Sequence, residues 1–214
     1  MSSRVVILDY GLGNLLSVKR ALENRGADVE VTDDPQVILV ANSLVIPGVG
    51  AFADGISELN KRHLVEPIQR YAASGRPLLG ICLGMQLLFS ESEEFGMHRG
   101  LDLISGRVLA IPNQTVNGKW RKTPHIGWNE IRLPPARRTW ESTPFAGLAE
   151  GAATYFLHSF AAVPADTSVR LANSDHEGFP IAAAVLQGNI LGCQFHPEKS
   201  GETGLTIIDN FLSM

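Results

Sequence analysis

The stretch Gly80-Ile81-Cys82-Leu83-Gly84-Met85-Gln86 decides the fold, because a buried strand turns into a helix there. Residues 77–81 form a short apolar run that opens with proline, which is typical of a strand buried on both faces. Residues 83–91 fit a helix. Cys82 therefore lies at a tight strand-to-helix turn with a glycine two positions away on each side, the geometry of a nucleophile elbow. A helix N-terminus beside a thiol favours the reactive thiolate form.

A second motif near the end of the chain supplies a candidate base and its partner. Residues 190–195 are strand-like, and His196-Pro197-Glu198 follows them directly. Glu198 can hold one imidazole nitrogen while the other faces a thiol, which is the logic of hydrolytic triads. A lone cysteine in an apolar strand is more often structural. The two motifs together favour a catalytic site made of Cys82, His196 and Glu198.

Composition narrows the class of protein. The chain has 214 residues, a hydrophobic fraction of 44% and a formal net charge of -4, so it can bury a sizeable core and has no basic footprint for nucleic acid. Its two cysteines make no disulfide framework, and a catalytic thiol needs a reducing compartment. No apolar run approaches the roughly 20 residues that span a bilayer, and the N-terminus lacks a signal-peptide pattern. We expect a cytoplasmic protein without membrane association.

The order of elements predicts an α/β fold. Strand-like and helical patterns alternate along the first half of the chain, at residues 5–8, 15–24, 29–31, 43–46 and 52–73. This alternation predicts a mostly parallel, mixed sheet flanked by helices. The second half is richer in strands and predicts an added antiparallel part, including a hairpin over residues 181–195 that delivers His196. We expect one domain over residues 1–214.

Several polar stretches carry the simpler interpretation of a solvated surface. Residues 91–94 form an acidic run, and Lys119, Arg121 and Lys122 form a small basic cluster. Charge runs of this size usually lie on a solvated face. Trp128, by residue type alone, is expected in the core. No His or Cys cluster has the spacing of metal ligands, so we expect neither a metal nor a cofactor.

Further motifs accompany the elbow and the His-Pro-Glu segment: Asp9-Tyr10-Gly11-Leu12-Gly13-Asn14, Pro47-Gly48-Val49-Gly50, Pro124-His125-Ile126-Gly127-Trp128-Asn129 and Tyr155-Phe156-Leu157-His158-Ser159-Phe160. With these motifs in this order, the chain resembles the class I, triad-type glutamine amidotransferases, which have a flavodoxin-like fold. Within them it most closely resembles the glutaminase subunits of imidazole glycerol phosphate synthases, from histidine biosynthesis. The resemblance runs from about Arg4 to the C-terminus without a large gap.

The resemblance implies a glutaminase that releases ammonia and glutamate from glutamine. The backbone N–H groups of Gly50 and Leu83 would stabilise the oxyanion. Gln86, Ser159 and Phe160 would bind the substrate. The family commonly has tyrosine at the position of Phe160, a mild departure because backbone contacts are expected there.

The resemblance also implies a partner. Ammonia would pass directly to a cyclase subunit, a (β/α)8 barrel, in a heterodimer. Asn14, His125, Trp128 and Lys199 match family positions at or near that interface. The products of the complex would be imidazole glycerol phosphate and an aminoimidazole carboxamide ribotide. Activity is expected to depend on the partner, because the 47–50 segment would not be set for the oxyanion in the free chain.

Other hypotheses remain open at this point. A paralogue feeding ammonia to a surface-sugar amidinating enzyme shares most of these motifs. A pyridoxal phosphate synthase glutaminase is disfavoured, because Gly48-Val49-Gly50-Ala51 stands where that group has a Gly-Gly-Glu-Ser type segment. A non-catalytic subunit is disfavoured by the intact set of Cys82, His196 and Glu198. A cysteine protease is a weaker option still.

Overall fold

The computed structural model describes residues 4–214. The helices are α1 (Leu15–Asn24), α2 (Pro35–Val40), α3 (Phe52–Lys61), α4 (Val65–Ala73), α5 (Leu83–Leu87) and α6 (Gly201–Leu212). The strands are β1 (Arg4–Leu8), β2 (Asp28–Thr32), β3 (Ser43–Ile46), β4 (Leu78–Ile81), β5 (Phe89–Ser92), β6 (His98–Arg99), β7 (Ile104–Ala110), β8 (His125–Glu130), β9 (Ala153–His158), β10 (Phe160–Pro164), β11 (Arg170–His176), β12 (Phe179–Gln187) and β13 (Ile190–Cys193).

A seven-stranded central sheet has the order β11-β12-β13-β4-β3-β1-β2. Neighbours from β2 to β13 are parallel, and β12 and β11 extend the sheet antiparallel. The predicted mixed α/β sheet is therefore confirmed. Because β4 and β13 are parallel neighbours with Ile81 opposite Cys193, the residues that follow them meet at one edge of the sheet. Catalytic groups in such sheets lie beyond the carboxyl ends of the strands.

The central sheet is covered on both faces, which explains its uninterrupted apolar strands. Along β1, Val6 and Leu8 face one apolar cluster, and Val5 and Ile7 face the other. Helices α3 and α4 contribute to the first cluster, and α1 and α6 contribute to the second. Within residues 4–214, every helix is too short or too polar to cross a membrane.

The predicted helix over residues 83–91 is wrong in its second half. Helix α5 ends at Leu87, and residues 89–92 form β5, which pairs with β7 and β6 in a four-stranded sheet. The carbonyls of Leu87 and Leu88 accept hydrogen bonds from the N–H groups of Leu101 and Leu103. Long-range hydrogen bonds therefore occupy the carbonyl groups that would accept the next hydrogen bonds of a longer helix.

Three predictions of which side chains are exposed and which are buried are also wrong. Glu94 of the acidic run is only 9% exposed, because the run begins inside β5 of the four-stranded sheet and does not lie on a solvated surface. Arg121 is 2% exposed, and its guanidinium donates hydrogen bonds to four backbone carbonyls, including that of His176, which fixes the 112–121 loop. Trp128 is 59% exposed, because alternation along β8 turns it outward.

Candidate active site

The turn at Cys82 has a strained backbone, as an elbow requires. Cys82 has φ 53° and ψ -106°, a conformation that L-residues rarely adopt. Its N–H donates to the carbonyl of Cys193 at 2.7 Å, and its carbonyl accepts from the N–H of Gln86 at 3.1 Å. The strand on one side and the helix on the other therefore hold the thiol at the sheet edge.

The glycines around the thiol are required by close backbone packing. A Cβ at Gly84 would overlap the carbonyl oxygen of Ile46 in β3. A Cβ at Gly80 would lie 2.8 Å from the carbonyl of Gly84. Helix α5 thus rests directly on the sheet backbone, and a side chain at either position would push it away.

The His-Pro-Glu segment forms a buried pair. Nδ1 of His196 lies 2.8 Å from Oε1 of Glu198, and the two side chains are 2% and 1% exposed. The backbone N–H of His196 donates to the carbonyl of Tyr155 at 2.9 Å, which fixes the residue against β9. The carboxylate therefore holds the Nδ1–H tautomer and leaves Nε2 for chemistry.

The electrostatics of His196 connect it to the thiol. Burial alone lowers the pKa of His196, but interactions with Cys82 and Glu198 outweigh it and raise the pKa to about 9. Nε2 has no hydrogen-bond partner of good geometry among residues 4–214. The interaction with Cys82 therefore raises the pKa of His196 although Nε2 makes no well-aligned hydrogen bond, as is common before substrate binds. This arrangement can accept the thiol proton.

A cavity of about 250 Å³ opens over the thiol. Its lining residues are Val49, Gly50, Cys82, Leu83, Gln86, Glu94, Pro124, Leu157, His158, Ser159 and Phe160. The five residues that the sequence predicted for the oxyanion site and the substrate are all in this lining. The volume suits a small molecule rather than a polypeptide.

Two residues at this site were not predicted from the sequence. Glu94 brings a carboxylate to the cavity, and Oε2 accepts the N–H of Phe52 at 2.7 Å. Burial raises the pKa of Glu94, and the Phe52 N–H opposes that rise. Gln194 is fully buried, with Nε2 3.7 Å from Sγ of Cys82. Adjacency to the His-Pro-Glu segment was the only sequence signal for Gln194, and nothing local separates Glu94 from its acidic neighbours.

The predicted oxyanion donors are not both available. The N–H of Leu83 donates to the carbonyl of Gly48 at 3.3 Å. The hydroxyl of Tyr10 donates to the carbonyl of Pro47 at 2.7 Å and holds the same segment. Gly50 has φ 128°, which favours glycine. The 47–50 segment is therefore in a conformation that occupies one of the two donors.

The four predicted interface residues differ in their exposure. Trp128 packs edge-on against Tyr155, with 6.1 Å between ring centroids, and the ammonium of Lys199 lies 5.9 Å from the same ring. Asn14 caps α1, with its Oδ1 accepting the N–H of Ser17, and α1 packs against the short helix that contains Lys199. His125 is only 4% exposed and lies below this surface.

His125 belongs to a group of three neighbouring histidines, of which His125 and His158 are buried. Its Nδ1 lies 3.1 Å from Nε2 of His158, and its ring stacks on His176 with 4.1 Å between centroids. Nδ1 of His158 lies 2.8 Å from the carbonyl of Phe160. His158 is thus buried, and both of its ring nitrogens have polar neighbours. Within residues 4–214, no group of three or more His, Cys, Asp or Glu side chains is arranged to hold a metal ion.

Comparisons with known proteins show the family to which this chain belongs. The family model for glutamine amidotransferase class-I matches residues 6–214. The "Imidazole glycerol phosphate synthase subunit HisH 1" of Legionella pneumophila (strain Paris) is 48% identical over 212 residues, covering 99% of this chain and 100% of the relative. The HisH subunit of Syntrophotalea carbinolica is 50% identical over 212 residues, covering 98% and 100%.

Solved structures support the same fold. PurLQS from Thermotoga maritima superimposes with a TM-score of 0.72 at 22% identity, covering 100% of this chain and 99% of that chain. At this identity the similarity speaks for the fold alone.

Proposed function

Because the chain belongs to the class-I glutamine amidotransferases, we propose that it is the glutaminase subunit of an imidazole glycerol phosphate synthase. It hydrolyses glutamine and passes the ammonia to a cyclase subunit in histidine biosynthesis. The full-length similarity to subunits of that name supports this function over the surface-sugar alternative. The observation that carries the chemistry is the strained thiol turn beside a buried His–Glu pair, under one small cavity.

The reaction begins with transfer of the Cys82 thiol proton to Nε2 of His196. The thiolate forms a bond to the amide carbonyl carbon of glutamine, and the carbonyl electron pair moves to oxygen. His196 then delivers the proton to the departing nitrogen, the C–N bond breaks and ammonia leaves. A water molecule, deprotonated by His196, attacks the thioester, and glutamate and the free thiol are restored. Glu198 orients the imidazole and stabilises its charged form.

Glu94 and Gln86 orient the substrate. A glutamine whose amide carbon is at the thiol extends its ammonium and carboxylate along the cavity. The Glu94 carboxylate is the natural partner for the ammonium, since charge-assisted pairs are the stronger ones. Both N–H bonds of the Gln86 amide have acceptors within the protein, at Phe160 and Gln194, so its oxygen remains for the substrate.

Activity depends on the partner, because the oxyanion segment must change conformation. The Leu83 N–H can stabilise an oxyanion only after it leaves the Gly48 carbonyl. Ammonia is quickly protonated in neutral water and loses its nucleophilicity, so its release has to be coupled to a receiver. We propose a barrel-shaped cyclase docked on the Trp128, Lys199 and Asn14 surface, with His125 supporting it from below.

The proposal also includes the domain organisation of the chain and the cellular compartment in which it works. One central sheet with an apolar cluster on each face supports a single domain over residues 1–214. A reactive thiol supports work in a reducing compartment such as the cytoplasm.

The test is glutamate release by the chain alone, with the cyclase subunit, and with cyclase plus its nucleotide ligand. We expect a large rise only in the complete mixture. Cys82→Ala and His196→Ala should each reduce that rate by at least about 10³-fold. Cys193→Ala is the matched control, because Cys193 is fully buried in β13 and burial raises the pKa of its thiol.

Wild-type rates in Cys82→Ala would overturn the catalytic assignment. If glutamate release did not rise with the cyclase while Cys82 still reacted with a glutamine-analogue electrophile, the chemistry would stand and the partner would be wrong. A free chain as fast as the complex would overturn the gating by the 47–50 segment.

A further inference from the structure

We propose that Gln194 is a positioning residue that donates a hydrogen bond to the Cys82 thiolate and so sets the ionisation of the nucleophile. This inference rests on the proposed role of Cys82. The carrying observation is the 3.7 Å distance from Nε2 of Gln194 to Sγ of Cys82, in a side chain with no exposed area. Sulfur accepts hydrogen bonds at longer distances than oxygen does, and the charged form accepts them best.

The backbone of Gln194 is fixed by the sheet. The residue directly follows β13, and its N–H donates to the carbonyl of Ala183 at 2.9 Å. Cys193, one residue earlier, pairs with Ile81, the residue before the nucleophile. Gln194 and Cys82 are therefore held at the ends of adjacent parallel strands, so the amide reaches the sulfur without a flexible connection.

The orientation of the amide is determined by its neighbour Gln86. Nε2 of Gln86 lies 3.0 Å from the carbonyl of Phe160, which can only accept, so this atom must be the donating nitrogen. The same nitrogen lies 3.1 Å from the other end of the Gln194 amide, which must then be the accepting oxygen. The nitrogen of Gln194 is left facing Sγ. A reversed amide would place two oxygens or two nitrogens together in a buried site.

The sulfur has different neighbours for its two protonation states. As a thiol, Cys82 can donate to the carbonyl of Leu157, 3.6 Å away. As a thiolate it has no proton to donate, and Nε2 of Gln194 becomes its neutral donor. When the proton moves to His196, the contact with Leu157 is lost and the contact with Gln194 becomes charge-assisted. Gln194 thereby lowers the cost of forming the nucleophile before any substrate is bound.

The test is the rate of Cys82 alkylation by iodoacetamide as a function of pH, in the purified full chain, with the labelled cysteine identified by peptide mass mapping. Gln194→Leu removes the donor at similar volume. We expect the midpoint of the alkylation profile to rise by about one pH unit, the size expected for a lost hydrogen bond to a charge. Gln194→Glu keeps the shape but puts an acceptor beside the sulfur, so we expect at least as large a rise.

Gln69→Leu is the control, because Gln69 also donates from its side-chain amide to a backbone carbonyl, that of Leu101 at 2.9 Å. Its alkylation profile should superimpose on that of the wild type. Thermal unfolding checks that each variant is folded, and if Gln194→Leu is not, the nearly isosteric Gln194→Glu decides.

A lower glutaminase rate with an unchanged alkylation midpoint would overturn the proposal and leave Gln194 a purely structural role. If instead Cys82 were not the nucleophile, the experiments would give a different result. In that case Cys82→Ala would keep its glutaminase activity.

Discussion

Close packing of backbone against backbone fixes the helix of the elbow, residues 80–86. Hydrogen bonds fix the facing wall of the cavity, which consists of Glu94, Leu157, His158 and Phe160. In the elbow, backbone packs on backbone at Gly80 and Gly84. In the wall, Glu94 is held by the N–H of Phe52, and the Phe160 carbonyl accepts from Gln86 and His158. The difference shows that the position of the helix behind the nucleophile depends on shape, whereas substrate binding depends on polar groups that can be altered singly.

A substitution that disrupts the backbone packing of the elbow should reduce both stability and glutaminase rate. Gly84→Ala places a methyl group on the Ile46 carbonyl, so α5 has to move away from the sheet. We expect a loss of roughly 3 kcal/mol in the free energy of unfolding. Displacement of the thiol by about 1 Å should also cost at least about 100-fold in glutaminase rate. Denaturant unfolding and glutamate release in the complex measure the two effects.

Gly55→Ala is the control for this prediction. Gly55 also lies in a helix and is buried, but a Cβ there meets only the flexible side chain of Leu87 at 3.2 Å and that of Leu83 at 3.4 Å. Alanine also favours the helix, so we expect near-neutral stability. Equal losses in the two variants would contradict the steric account of the elbow.

Removal of one charge from the wall should weaken the binding of glutamine. Glu94→Gln keeps the shape and the hydrogen bond with the Phe52 N–H but removes the charge that faces the substrate ammonium. We expect KM for glutamine to rise about 10- to 100-fold with a smaller change in kcat, since a charged hydrogen bond is lost. The exposed neighbour Glu93 gives the control Glu93→Gln. If kcat fell while KM stayed constant, Glu94 would not act through substrate binding.

Mild acid should weaken the wall before it affects the elbow. Burial lowers the pKa of His158 to about 3, and burial with the neighbouring His176 lowers the pKa of His125 to about 4, from the usual value of 6.5. Below pH 6.5 the unfolded chain binds protons that the folded chain does not, so stability falls as pH falls towards 4. The expected slope is about 1.4 kcal/mol per pH unit for each histidine.

His158→Gln tests this pH dependence, because glutamine retains a donor and an acceptor but cannot be protonated. We expect the slope of stability between pH 6.5 and 5 to fall by about half. His63→Gln, at an exposed histidine, should leave the slope unchanged. Hydrogen exchange should show β8 and β9 opening before β4, and simultaneous opening would remove the distinction between the two regions.

The predictions from sequence succeeded where a local pattern was complete. Helix α1 has its predicted bounds, and Asn14 caps it. The strand before Cys82 and the hairpin before His196 were also predicted, because the glycines, prolines and apolar runs that define them lie within a few residues. The catalytic roles of Cys82, His196 and Glu198 remain proposals that the geometry supports.

The failures lie where distant segments compete with local preference. Residues 88–91 continue a helical pattern in sequence, yet pairing with β7 and β6 makes 89–92 a strand. Arg121 belongs to a basic cluster in sequence, yet it is buried because four carbonyls from two loops surround its guanidinium. Neither outcome is encoded within the window that a periodicity argument uses.

The sequence by itself determined the α/β class, the turn that holds Cys82 and the histidine expected to serve it, because each depends on neighbours in the chain. Only the tertiary structure decided that Glu94 faces the cavity, that Gln194 donates to the sulfur and that the Leu83 N–H is occupied. These features depend on contacts between residues that are far apart in the chain, as with Phe52 and Glu94 or Cys82 and Gln194. Such contacts form only when segments that are distant in the chain pair as strands or pack against one another, and local sequence preferences carry no record of them.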